Sequence, residues 1–289
     1  MVCVLASTLC FSTASALIRG LSGSVPPPEI AFFRSFFGLL ILLPVVGWYG
    51  ASAIRTERLA LHGIRGALHA VSMIIWFFAL SLVPLAEATA LEFAAPLMTT
   101  MIAILFLGEV VRARRLAALA IGIAGVLIVV RPGFESVALG QLLCLVSVVI
   151  WAACQLIIRE LGRTESAFVQ GFYTVAVFTP ITAAVALPFW VWPSPSSVAL
   201  LVVLAAVSTV GIWLYGEAFR RAEMSAILPL ESTKLIWSVG YGLIFFAEEP
   251  ELLTLAGGAI IFAAAAYITF REALLSRQAA PPTSDTTGV

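Results

Sequence analysis

The chain has 289 residues, of which 61% are hydrophobic and 11% are charged, and its mean hydropathy is +1.07. Soluble domains are about 45–50% apolar, so this composition excludes a soluble enzyme and predicts an integral membrane protein. The 16 basic and 16 acidic residues cancel, which leaves no excess positive charge for binding nucleic acid.

Ten apolar stretches follow one another along the chain. A hydrocarbon core about 30 Å thick requires about 20 apolar residues per helix, and charged or Pro/Gly clusters separate the stretches. Their runs are continuous rather than alternating, so they predict transmembrane helices and not a barrel. The predicted spans are residues 2–19, 28–49, 65–83, 85–107, 113–130, 138–158, 165–189, 197–219, 223–247 and 251–270.

The rest of the chain offers little for cofactor or metal binding. The four cysteines fall in apolar runs without a CxxC spacing or a histidine partner, so neither a disulfide nor a metal site is predicted, and no cofactor is expected. Residues 276–289 are rich in Ala, Pro, Ser and Thr and are predicted to form a disordered cytoplasmic tail. The predicted partners are the lipid bilayer and a small-molecule substrate.

The arginines predict how the spans are oriented. With the amino terminus in the cytoplasm, twelve arginines lie on the inner side and only Arg19 and Arg131 on the outer side. This bias favours an even number of spans, with both termini cytoplasmic, in an inner or plasma membrane.

The second half of the chain repeats the first. Residues 17–21 match residues 157–161 at an offset of 140, and span two matches span seven at an offset of 136. Span four matches span nine at an offset of 139, which aligns Glu92 with Glu231. Each unit has five spans, an odd number, so residues 1–133 and 134–275 are predicted to be two repeats of opposite orientation. Inverted repeats are typical of alternating-access transporters, and a monomer already supplies both halves.

The most distinctive stretch is WFFALSLVPLAEATALEFAAPLMTTMIAILFLGEVV at residues 76–111, followed by GIAGVLIVVRPG at residues 122–133. These residues, repeated more loosely at 223–250, resemble the drug/metabolite transporter superfamily and its ten-span EamA-type members, and among them the YddG-type amino-acid exporters. The resemblance implies a cavity among spans three, four, eight and nine, with amino acids, including aromatic ones, as cargo and export as the direction.

The sequence leaves other functions open. Related carriers take up vitamins or nucleoside-like metabolites, so uptake of such a compound is the main alternative. An intramembrane enzyme would need a clustered acid, base or metal set, and neither HExxH nor paired aspartates occur in the chain. A scaffold that transports nothing is a further alternative, which measured flux would exclude.

Charged residues inside the predicted spans are functional candidates because burying them in lipid is costly. Arg34 and Glu92 lie about 9 and 12 Å from the outer side, at 1.5 Å per residue, so they could pair, with Glu87 as a competing partner. Glu231 and Lys234 are three residues apart and share a helix face. They either neutralise each other or face a cavity where they complement a zwitterion.

Two further residues have both structural and coupling interpretations. Glu217 lies near the inner end of span eight, within helical reach of Arg220 and Arg221, and could belong to a rim network. His69 lies about one turn into span three, where it could carry a coupled proton or make a hydrogen bond between helices.

Prolines and aromatic residues in the spans complete the predicted site. Pro96 and Pro229 lie near the paired glutamates and could act as hinges or static bends. Internal aromatic residues could form a stacking wall for a flat substrate or its amino group. The residues predicted to line the cavity are Trp76, Glu92, Trp151, Gln155, Trp213, Tyr215, Glu231, Lys234 and Trp237.

Overall fold

The computed structural model describes residues 1–50, 54–108, 113–131, 138–221, 227 and 230–279, which form helices, turns and loops with no strand among them. A short 3-10 helix spans Leu187–Phe189. The α-helices are, in chain order, α1 (Val2–Leu21), α2 (Pro27–Tyr49), α3 (Leu59–Leu82), α4 (Leu85–Glu92), α5 (Ala95–Leu107), α6 (Ala113–Val130), α7 (Leu139–Leu161), α8 (Ala167–Ala186), α9 (Pro195–Arg221), α10 (Thr233–Phe246) and α11 (Leu252–Ala279).

The described parts of the predicted membrane spans are confirmed as helices. Within the described residues, nine helical segments are long and apolar enough to cross a membrane, with α4 and α5 together forming one of them, and α10 is a shorter apolar helix. Several boundaries differ from the prediction by a few residues, and two helices are clearly longer than predicted. Helix α3 begins at Leu59 rather than at residue 65, and α11 continues to Ala279, into the segment predicted as a tail. Residues 280–289 lie outside the described part of the chain.

Helix packing follows the internal repeat. The most extensive contacts join α6 with α11, α3 with α7, α1 with α9, and α2 with α8. In span numbers these pairs are five with ten, three with six, one with eight, and two with seven. Exchanging the two repeats converts each pair into itself or into another pair of the set, so the packing has the pseudo-two-fold symmetry expected of inverted repeats.

Small residues allow α6 and α11 to approach closely. A Cβ atom on Gly125 would lie 2.9 Å from Ile261 Cγ1, and one on Gly257 would lie 2.6 Å from Val129 Cγ2 and 2.9 Å from the carbonyl oxygen of Gly125. Backbones in membrane helices pack this tightly where glycine removes the side chain. Spans five and ten are therefore packed tightly against each other.

Both repeats break a helix immediately after the aligned glutamates. Helix α4 ends at Glu92 and α5 begins at Ala95, so Pro96 stands at the start of a new helix. In the second repeat, Glu231 precedes the turn at Ser232 that opens α10. Broken spans are stable in a bilayer only where protein or a cavity surrounds the freed backbone groups.

Candidate functional site

A cavity of about 590 Å³ lies between the two repeats. It has a size typical of sites for small organic ligands, which measure about 300–1,000 Å³. Residues from α1, α2, α7, α8 and α11 line it in addition to the spans implied by the family resemblance. The cavity brings together most of the predicted site residues, namely Arg34, His69, Trp76, Glu92, Pro96, Trp151, Gln155, Tyr215, Glu231 and Lys234.

Two predicted cavity residues lie elsewhere. Trp213 is 66% exposed and Trp237 is 37% exposed, and neither lines the cavity. Trp213 is two residues from Tyr215, which places it about 200° around the helix from that cavity-lining side chain. Trp237 is rotated about 60° from Lys234 on α10. The prediction that these two indoles line the cavity is therefore wrong.

One ion pair crosses the repeat interface at the cavity. The Lys234 Nζ donates to both carboxylate oxygens of Glu92 at 2.6 Å, and it also lies 5.7 Å from the centre of the Phe11 ring. The predicted pair between Arg34 and Glu92 is wrong because α4 packs against α10, whereas α2 packs against α3, α8 and α9. The observed pair of Glu92 and Lys234 therefore joins the ends of the two broken spans.

Glu231 has a different partner from the one its spacing indicated. Its Oε1 accepts a short hydrogen bond from the Tyr215 hydroxyl on α9, while Lys234 is engaged by Glu92. The predicted self-neutralising pair of Glu231 and Lys234 is therefore wrong. Among the described residues, no cation forms an ion pair with Glu231. Within this part of the chain, the cavity thus contains a carboxylate whose direct partner is a hydroxyl.

Arg34 contacts neutral groups. Its Nε donates to Ser208 Oγ at 3.1 Å, and its Nη1 lies 3.0 Å from Met73 Sδ. The alternative partner Glu87 instead accepts a hydrogen bond of 2.5 Å from Gln141 Nε2 on α7. The described part of the chain therefore supplies no carboxylate to Arg34.

One face of α3 forms a wall of the cavity. Arg65, His69, Met73 and Trp76 all line it, at spacings of four, four and three residues that place them on one helix face. The His69 ring lies 4.8 Å from the Trp151 ring, and its Nδ1 is buried without a hydrogen-bond partner among the described residues. The imidazole ring of His69 thus packs between α3 and α7.

Arg65 is a cavity residue that the sequence interpretation missed. It is one of the twelve arginines predicted on the inner side, but it is buried six residues into α3, where its Nη1 donates to the Gln170 carbonyl oxygen at 3.0 Å. Its four-residue spacing from His69 was the signal that could have placed it on the same face. Ser208, which accepts a hydrogen bond from Arg34, offered no comparable signal because serine and threonine are common in membrane helices.

The remaining predictions fall partly outside the structure. Pro229 lies outside the described residues, so its role as a hinge stays a prediction. Glu217 is half-buried near the end of α9, and the side chains of its predicted partners Arg220 and Arg221 are not described.

The cavity opens toward one side of the molecule, which we call the amino-terminal side because α1 begins there. The opposite side is called the far side. Gln155 and Gly171, near that opening, line the cavity and are exposed. Toward the far side the lining is buried, with Ile18 at 4% and Phe77 at 2% exposure. The structure therefore shows a state open to the amino-terminal side.

An ion pair closes the far side. Arg19 at the end of α1 pairs with Glu248 after α10, and Glu248 Oε2 accepts a hydrogen bond of 2.9 Å from the backbone N–H of Leu85. Arg19 also donates to the carbonyl oxygens of Leu80 and Val83. Glu248, two residues after α10 ends, thus joins three helix ends above the cavity.

Inverted repeats around a central cavity that is open on one side define this molecule as a membrane transporter rather than an enzyme. Comparison with known proteins specifies the class. A model of the EamA-like transporter family matches residues 1–131 and 138–270. The chain belongs to this family.

Characterised relatives carry different cargoes. The chain is 30% identical to an S-adenosylmethionine uptake transporter of Rickettsia bellii, over 84% of both chains. It is 29% identical to a riboflavin transporter of Brucella anthropi, over 90% of this chain and 94% of that protein. It is 28% identical to the pseudopaline exporter CntI of Pseudomonas aeruginosa, over 91% and 93%.

A solved crystal structure matches the fold. It superimposes with a TM-score of 0.61 at 22% identity, over 96% of each chain. This likeness shows the fold alone, and the relatives show a family whose members differ in cargo and in direction.

Proposed function

We propose that the protein is a secondary carrier of a small zwitterionic metabolite, either a free amino acid or a molecule that contains one. The observation that carries this proposal is the cavity-lining carboxylate of Glu231, which has a hydroxyl partner but no described cation partner. Such a carboxylate in a partly dehydrated site favours an ammonium or another cationic group of a substrate.

Aromatic side chains support a substrate with a flat or apolar portion. Phe11, Trp76, Trp151 and Phe178 line the cavity together with Tyr215. Their rings offer stacking surfaces and can also attract the amino group of a substrate. S-adenosylmethionine, which the Rickettsia relatives take up, combines an adenosine with an amino acid, and such a molecule would use both features.

The direction of transport is a separate question from the cargo class. Export is the predicted direction, and the relatives include both uptake carriers and an exporter. An inverted-repeat carrier without its own ATPase moves its cargo down the combined gradients available to it. We therefore propose that the gradient, and not the fold, sets the direction.

Vitamin uptake is the second candidate function. It is favoured by the riboflavin transporters among the relatives and by the aromatic wall, which would accept a flat ring without an amino group. The two candidates differ in whether Glu231 is required, because a neutral vitamin provides no cation for its carboxylate.

The experiment is flux in proteoliposomes with radiolabelled phenylalanine, S-adenosylmethionine and riboflavin, for the wild type, Glu231→Gln and the surface control Glu160→Gln. We expect saturable flux of phenylalanine or S-adenosylmethionine, reduced about tenfold or more in Glu231→Gln, because a hydrogen bond or ion pair to a charged group contributes about 1.5–3 kcal/mol. Glu160→Gln should stay within about twofold of the wild type. Flux of riboflavin alone would establish the second candidate, and no flux of any compound would favour a scaffold.

A further inference from the structure

Arg34 is a cation in the membrane interior whose charge is not balanced by any carboxylate in the described residues. It lies on α2, seven residues after Pro27 and therefore about 10 Å along the helix. Placing a guanidinium at such a depth is costly unless it is paired or faces a polar cavity. The cavity lining includes Arg34, which satisfies the second condition.

The contacts of Arg34 leave donors available. A guanidinium has five N–H donors, and here Nε is bound to Ser208 while Nη1 faces the Met73 thioether, which is a weak acceptor. Nη2 contacts no acceptor in the described part of the chain, and it is not among the fully buried polar atoms. The guanidinium is therefore held at Nε and Nη1, while Nη2 keeps donors available on the side that lines the cavity.

The other cations of the cavity are already engaged. Lys234 is bound by both oxygens of Glu92, and Arg65 donates to the carbonyl and side-chain oxygens of Gln170. Arg34 is thus the cavity cation with the weakest protein-derived acceptors among the described residues. A planar guanidinium edge matches the two oxygens of a carboxylate in geometry and charge.

We propose that Arg34 binds the carboxylate of the transported molecule and makes that carboxylate a requirement for transport. The inference rests on the proposed function and extends it, because it assigns the two ends of a zwitterion to different groups. The carboxylate binds Arg34, whereas the cationic group binds near Glu231. Lys234, which the sequence offered for the carboxylate, stays in its ion pair.

The test compares acids with their amides, which keep the ring and the amino group but lose the negative charge. Binding is followed by quenching of tryptophan fluorescence in detergent, with two pairs of probes: phenylalanine with phenylalaninamide, and S-adenosylmethionine with its carboxamide. The variants are Arg34→Gln, Arg34→Lys and the surface control Arg163→Gln, whose side chain is 69% exposed. Size-exclusion profiles and thermal unfolding establish that each variant is folded.

We expect the wild type to prefer acid over amide by about tenfold to a hundredfold, the range expected for a charge-assisted hydrogen bond. Arg34→Gln should bring this ratio close to one, Arg34→Lys should restore part of it, and Arg163→Gln should leave it unchanged. A merely structural role of Arg34 would weaken acid and amide equally and preserve the ratio.

The outcomes separate the two proposals. Equal binding of acid and amide by the wild type, or a preference that survives in Arg34→Gln, would overturn the role of Arg34 while leaving the carrier and its cargo class intact. Binding of neither acid nor amide by the wild type would overturn the proposed cargo class, and the role of Arg34 with it.

Discussion

The Glu92–Lys234 pair shows how a charge inside a membrane span finds its partner. Each residue alone would be costly to bury, and their 2.6 Å contact joins the end of α4 to the start of α10 across the repeat interface. The side chains are 35% and 15% exposed, so the cavity hydrates them in part, and the pair costs less to bury than one enclosed in lipid.

A double-mutant cycle should reveal the coupling within this pair. We expect Lys234→Gln and Glu92→Gln each to destabilise the protein by about 1–2 kcal/mol, because each leaves one charge unpaired, and the double variant to recover about half of that sum. The measurement is thermal unfolding in detergent. The exposed pair Glu160–Arg163 is the matched control and should couple by less than about 0.5 kcal/mol. Strictly additive effects for Glu92 and Lys234 would contradict the pairing.

Sequence spacing at this scale identified the charged residues but not their partners. Arg34, Glu87, Glu92, Glu231 and Lys234 lie at compatible depths, so several pairings were equally consistent with the sequence. Depth along a helix follows from counting residues, whereas the partner depends on which helices are neighbours and how each is rotated. The same rotation decides that Tyr215 lines the cavity and Trp213 does not.

Two of the spans that form the site are broken, while spans five and ten are packed tightly against each other. The break after Glu92 is followed by Pro96, but position 235, which is equivalent in the second repeat, is a leucine. Proline therefore does not by itself determine where the spans break. The common feature is a glutamate at the cavity, whose pairing holds the helix end in position.

The contact between α6 and α11 gives a stability prediction for a single methyl group. Gly257→Ala should destabilise the protein by about 1–3 kcal/mol, because the added Cβ would overlap Val129 and the Gly125 carbonyl oxygen. A Cβ atom on Gly216 would meet no neighbouring heavy atom of the described residues within 4 Å, so Gly216→Ala is the matched control, with no loss of stability. Thermal unfolding of the two variants measures the difference, and equal melting temperatures would argue against close packing at Gly257.

The whole molecule is symmetric in its fold and asymmetric in its contacts. Arg19 and Arg159 occupy equivalent positions in the two repeats, yet Arg19 pairs with Glu248, whereas Arg159 is exposed and forms no ion pair among the described residues. The paired end is the closed far side, and the unpaired end is the open amino-terminal side. Alternating access requires the far-side contact to break.

Breaking the far-side pair should open the cavity to the far side. The reporter is Phe77→Cys on a background without the four native cysteines, labelled from the far side with an impermeant maleimide. Adding Arg19→Gln should make this labelling several-fold faster. The physical reason is that removing a contact worth ~1.4 kcal/mol changes the population of a conformational state about tenfold. Arg131→Gln is the control, since Arg131 pairs with Glu251 on the same side away from the cavity. Unchanged labelling in Arg19→Gln would show that other contacts close this side.

The sequence by itself determined the class of fold. Ten apolar stretches, the two aligned repeats and the motif at residues 76–111 were sufficient for an inverted-repeat transporter of the EamA type, because lipid exposure requires apolar helices of a defined length. Most of the residues predicted for the site do line the cavity, since charged and aromatic residues inside spans are unusual and mark functional positions.

Only the tertiary structure decided which of these residues act together. In the structure, Lys234 pairs with Glu92, and Tyr215 donates a hydrogen bond to Glu231. Arg34 contacts neutral groups, and neither Trp213 nor Trp237 lines the cavity. The physical reason is that partners come from different helices, more than a hundred residues apart for Glu92 and Lys234. Their meeting depends on helix rotation and crossing, which small packing residues such as Gly125 and Gly257 control.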